Sequence, residues 1–104
     1  MKVIYIANDG RVFTNEGDCA EYEWWLDHPH IRSVLFFDKD NQAMPVSMDD
    51  ILYSQCMKVI VPDEYALQAL HELADYCGWV QFESDINSAG VWVWDFSINK
   101  FVKQ

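Results

Sequence analysis

Basic residues are scarce in this chain of 104. Seven lysines and arginines stand against seventeen aspartates and glutamates, a formal net charge of −10 at neutral pH. A surface of that sign repels phosphate backbones and anionic headgroups, which argues against direct nucleic-acid binding and against a membrane surface. Cysteine is scarce as well. Cys19, Cys56 and Cys77 are odd in number, widely spaced and contain no Cys-x-x-Cys pair. That disfavours a disulfide framework and predicts free thiols packed as small hydrophobes. The four glycines, at 10, 17, 78 and 90, form no phosphate-cradling loop. No apolar run approaches the ~18 residues of a membrane helix. The apolar opening after Lys2 runs into Asn8-Asp9-Gly10, too short for a signal peptide and without a small-residue cleavage site. The expectation is a cytoplasmic protein.

What is present is core material. Hydrophobic residues make up 51% of the chain and aromatic residues 15%. That composition opposes disorder, and the length suits one domain over residues 1–104. No repeat, low-complexity segment or linker interrupts it.

The periodicities predict a strand over Lys2 to Ala7, a turn at Asn8-Asp9-Gly10, and a short return at Arg11-Val12-Phe13. Thr14 reads as an N-cap for a helix over Asn15 to Asp27, which Pro29 prevents from continuing. On that helix Cys19, Tyr22, Trp25 and Leu26 share one side, at about 100° per residue, and make the predicted buried stripe. Glu16, Glu23 and Asp27 line another side, with Trp24 partly exposed beside them. Arg32 to Phe37 reads as a second strand. Ser47-Met48-Asp49-Asp50 resembles a capping box before a short helix, Met48 to Ser54. Cys56 to Val61 reads as a third strand. Asp63 to Cys77 is the clearest helix. Ala66, Leu67, Ala69, Leu70, Leu73, Ala74 and Cys77 make its apolar arc, and Glu64, Gln68, His71, Glu72 and Asp75 its polar face. Gly78 stops it. Trp79 to Glu83 reads as a fourth strand, Val91 to Phe96 as a fifth, and the tail as an extension or a short returning strand.

The order predicts an α+β fold. Two main helices lie on one face of an antiparallel or mixed sheet of four to five strands, a two-layer sandwich ferredoxin-like in outline.

Candidate chemistry is thin. His28-Pro29-His30 could share a metal with Asp27 or a cysteine, but no second ligand pair stands at a recognisable spacing. His71 and Asp75, four apart, can hydrogen-bond, without a nucleophile beside them. Asp38, Asp40 and Asn41 resemble the start of a calcium loop that lacks its Gly and Glu. The expectation is no catalysis, no cofactor and no metal. In the last predicted strand, Trp92, Trp94 and Phe96 point one way and Val91, Val93 and Asp95 the other. Either the tryptophans anchor the core, or they form an aromatic patch on the open face of the sheet.

Asp9-Gly10-x-x-Phe13 followed by Cys19-x-x-Tyr22-Glu23 resembles the opening of small acidic proteins of phages and prophages, over about 22 residues. The resemblance implies a mobile-element setting, in which such proteins act as inhibitors of host defence of the anti-CRISPR or anti-restriction type, some as DNA mimics. It would place the protein in the host cytoplasm, and it carries over no catalytic residue. The resulting expectation is a small acidic protein-binding module, an inhibitor of a basic or nucleic-acid-binding protein. Glu16, Glu23, Trp24, Asp27, Glu64, Glu72, Asp75, Trp92 and Trp94 are its candidate contact residues, and a homodimer is allowed. Two other readings stand beside it: a phage structural or housekeeping protein whose acidity serves solubility, and a small metal-binding or enzymatic domain around His28 and His30.

Overall fold

The computed structural model describes residues 3–104, so Lys2, where the first strand was expected to begin, lies outside the described residues. Twelve elements follow one another. They are β1 (Tyr5–Ile6), β2 (Val12–Phe13), α1 (Glu16–Asp27), a 3-10 turn (Pro29–Ser33), β3 (Leu35–Phe37), β4 (Ala43–Met44), α2 (Asp50–Gln55), β5 (Lys58–Val61), α3 (Glu64–Cys77), α4 (Val80–Ser84), β6 (Gly90–Asp95) and β7 (Lys100–Lys103).

β1 and β2 pair as a separate two-stranded hairpin. The other five strands make one antiparallel sheet in the order β4-β3-β5-β6-β7. β4 and β5 both run opposite to β3, which lies between them, and α2 joins them. This is a split β-α-β unit of the expected kind. The second crossover is simpler, because β5 and β6 lie side by side with α3 and α4 between them in sequence.

One layer is the sheet and the other is helical. The inward positions Phe36, Val59, Trp92 and Phe101 merge with Ile31, Leu52, Leu70, Leu73 and Phe82 into one buried cluster. The α+β sandwich is therefore the architecture. Aromatic rings carry its centre: Phe82 meets Tyr53 edge-on at 5.0 Å and lies 5.8 Å from Phe36, and Tyr53 stacks on Trp79 at 5.6 Å. The buried indole N–H groups find acceptors, Trp79 on Asp50 at 2.9 Å and Trp92 on the Ser88 carbonyl at 3.0 Å.

α3 follows its sequence closely. The Asp63 carboxylate accepts the Ala66 N–H at 2.8 Å, satisfying one orphan donor of the first turn. Gly78 ends the helix at φ +75°, a conformation that costs a glycine little. Three starts differ from expectation. Asn15, not Thr14, caps α1, through the Asp18 N–H. Asp49, not Ser47, caps α2, through the Ile51 N–H. Arg32 and Ser33 belong to the 3-10 turn, so β3 starts only at Leu35.

Trp79 to Glu83 is no strand. Trp79 immediately precedes the short helix α4, and it and Phe82, three apart, are both buried and meet edge-on at 5.9 Å. The tail turns back as β7 on β6.

α1 serves two partners. Its first half carries the hairpin. Phe13 packs on Tyr22 at 5.2 Å, Arg11 sits 4.9 Å above the Tyr22 ring, and the Tyr22 hydroxyl donates to Asp9. Ala7 and Cys19 are buried there, apart from the main cluster. Its last turn enters the main core through Trp24. The molecule is accordingly long, about 55 × 24 × 23 Å.

Candidate functional site

Burying the apolar arc of α3 turns its other face outward. Glu64, Gln68 and Asp75 are exposed, with His71 and Glu72 half-buried between them. α4 lies against α3 and brings Glu83 alongside. The result is an open groove of about 540 Å³ walled by Glu64, Glu72, Asp75 and Glu83. A second groove of about 340 Å³ continues it past Glu72 and Gln68 to Asp27, His28, His30 and Tyr65. Among the described residues no lysine or arginine lines either one. Carboxylates gathered on a solvated surface in excess of basic groups produce a negative field.

Glu72 joins the two grooves. One of its oxygens lies 2.6 Å from His28 Nε2, and the other accepts from Gln68 at 3.2 Å. His28 Nδ1 lies 2.7 Å from the Trp24 carbonyl, and its ring stacks on the Trp24 indole at 3.9 Å. Both partners of His28, the Trp24 carbonyl and the Glu72 carboxylate, are hydrogen-bond acceptors. His30 stacks on Tyr65 at 5.3 Å, away from His28, so the two imidazoles do not converge on one point. His71 Nε2 points to the Ile86 carbonyl rather than to Asp75. The Asp38 carboxylate accepts from Asp40 and Gln42 N–H in its own turn.

Of the expected contact residues, the fold gathers Asp27, Glu64, Glu72 and Asp75 along these grooves. Glu16 is exposed in the first turn of α1 and Glu23 is half-buried. Neither lines the grooves. The aromatic expectations are corrected. Trp24 is 9% exposed, covered by His28, Trp25 and Tyr76, because α1 turns this side to the body at its C-terminal end. Trp92 is buried, and Trp94 is half-buried against Phe101, because their side of β6 faces the helices. None of the three is an exposed anchor. Tyr22 and Trp25 are only half-buried and Leu26 is exposed, so of the expected α1 stripe Cys19 alone is buried.

Two exposed aromatics flank the acids instead. Tyr65 is 68% and Tyr76 53% exposed, at opposite ends of α3. Their positions off the apolar arc were a usable signal. Glu83 was hidden by the reading of its segment as a strand.

All three cysteines are free. Burial pushes the Cys56 and Cys77 thiols up to about 11, with Asp50 and Glu21 adding to the shift at Cys77. Burial, then Glu23, also raises Cys19. Thiols held protonated are poor nucleophiles and poor metal ligands. Among the described residues no helix is long and apolar enough to cross a membrane. No family model, curated protein or solved structure matches the chain.

Proposed function

We propose that the protein is a binding module that presents the acidic groove of α3 to a basic protein surface, of the kind that itself holds nucleic acid. The observation that carries this reading is the gathering of Glu64, Glu72, Asp75 and Glu83 on one groove, continued by Asp27, without a lysine or arginine among the described residues of the lining. Such a field steers a cationic partner and repels nucleic acid. Exposed Tyr65 and Tyr76 supply flat, amphipathic contact area beside it, on which arginine side chains stack. A partner seated there has its phosphate-binding surface occupied, which is the action of an inhibitor.

The test uses a triple variant, Glu64→Gln, Asp75→Asn and Glu83→Gln. Glu72 is spared because it also holds His28. Proteins captured from a lysate by the parent should be displaced by added duplex DNA and lost with the triple variant, while its circular dichroism is unchanged. Capture insensitive to both DNA and neutralisation would remove the acidic groove from the function.

A further inference from the structure

The side of the sheet away from the helices has no layer over it in the described chain. The register fixes which residues face that way. Leu35, Ile60 and Val91 form one row across β3, β5 and β6. Phe37, Lys58, Val93 and Val102 form the next, across β3, β5, β6 and β7. Asp95 opposite Lys100 closes the end. An antiparallel sheet that keeps one face in water carries polar residues there, hydrophobic-in and polar-out. Here the central strands turn Ile60, Val91 and Val93 outward, and Leu35 is 49% exposed.

The charge on this face is also unlike that of the rest of the chain. Against a net charge of −10, its strand positions carry two lysines and one aspartate. Lys58 leans over the Phe37 ring at 5.1 Å and reaches Asn41, while Ile60, Val91, Val93 and Val102 beside it are half-buried. Asp95 is turned to Ser97, whose N–H and hydroxyl both donate to it. The carboxylates of the α3 groove are on the helical side, the opposite layer of the sandwich. This sheet face is thus where a strongly acidic protein can meet a second copy of itself without like-charge repulsion.

We infer that the open sheet face is a homodimer interface, two copies packing their sheets face to face about a two-fold axis. Paired in this way, inner faces lie about 10 Å apart with apolar side chains interdigitating. A two-fold contact uses the same patch twice, and a patch bearing both lysine and aspartate is self-complementary. The patch is small. Its nine strand positions fall short of the ~20 residues per side of a standard interface, so the dimer is weak and exchanges with monomer. Both acidic grooves remain free on the outer layers of the pair, so the inference holds whether or not the groove binds a basic partner.

Sedimentation equilibrium over roughly 1 to 300 µM, the range in which small interfaces dissociate, tests it. The parent is expected to pass from monomer to dimer. Val91→Thr with Val93→Thr keeps the β-branched shape suited to a strand while removing apolar surface, and should weaken dimerisation at least about tenfold, the effect of 1.4 kcal/mol. Ile6→Thr with Val12→Thr, on the exposed side of the N-terminal hairpin, should leave it unchanged. Concentration-dependent methyl shifts in the parent, read by NMR at Ile60, Val91, Val93 and Val102, locate the contact without any variant. A parent that stays monomeric, a dimer lost through the hairpin pair, or shifts confined to residues outside the sheet face would each overturn the inference.

Discussion

Replacing Trp24 by alanine distinguishes a core residue from a surface anchor. Trp24 is 9% exposed, lies flat on His28 at 3.9 Å and meets Trp25 edge-on at 5.1 Å. An indole of roughly 200 Å² at about 25 cal/mol per Å² corresponds to about 5 kcal/mol of transfer free energy. The compactness of real unfolded chains lowers that by ~10–40%, to about 3–4.5 kcal/mol, within the usual range for Trp→Ala in a core. A domain of this size is stable by about 5–15 kcal/mol, so the variant should still fold. The loss corresponds to a fall in melting temperature of about 15 °C. It should also be uneven. Trp24 is the buried side chain that α1 contributes to the main core, whereas the hairpin stays attached to the other half of α1. Urea titration followed by circular dichroism gives the magnitude. Hydrogen exchange should show α1 amides accelerated more than those of β5. A loss under about 1 kcal/mol, well below any core estimate for this residue, would refute the packing argument.

Asp63→Ala removes the acceptor for the Ala66 N–H and should cost about 1 kcal/mol in a urea titration, with Asp63→Asn costing less. The Cys56 and Cys77 thiols, raised to about 11, should alkylate slowly at neutral pH and accelerate as pH approaches that value; rapid reaction of the folded protein at pH 7 would contradict their burial. The Tyr22 hydroxyl, then the Arg11 N–H, hold the Asp9 carboxyl below its usual 3.8. A depressed folded-state value means that its stabilisation is present above the unfolded value and is lost as pH falls through the folded one. NMR titration should therefore give Asp9 a midpoint below 3.8, rising toward it in Tyr22→Phe.

Much of this structure was legible where local chemistry and tertiary packing agree. α3 is the clear case. Its cap, its apolar arc and its terminal glycine all follow from neighbouring residues, and the acids of its outer face follow from the same arc. α1 was harder, because its first half faces the hairpin and its last turn faces the body. The buried side rotates along the helix, and no single stripe can say which of Trp24 and Trp25 goes inside. Trp79 to Glu83 is too short for periodicity to separate helix from strand. Its aromatic and β-branched residues favour a strand. What decides is that a helical turn puts both Trp79 and Phe82 among Tyr53, Phe36 and Phe101, which a sequence does not display. The same holds for Trp92 and Trp94: alternation along β6 separates two sides, and only the position of the helices says which one is dry.

The strand order also bears on how the chain reaches this shape. β3 with β4, and β6 with β7, are hairpins between sequence neighbours, and α3 is a long helix with its own start and stop. Each of these can form within microseconds from local contacts alone. The pairing of β5 with β6 cannot, since it brings Val61 to Gly90 across the whole of α3 and α4. The entropy of closing that span is spent before the cluster around Phe82 repays it, so the union of the two sheet halves is the step expected to set the folding rate, which stopped-flow refolding of variants at the β5–β6 pairing would check. Until it is made, β5 and β6 each present an unpaired edge of valines and tryptophans, and the charge of −10 keeps separate chains from meeting there.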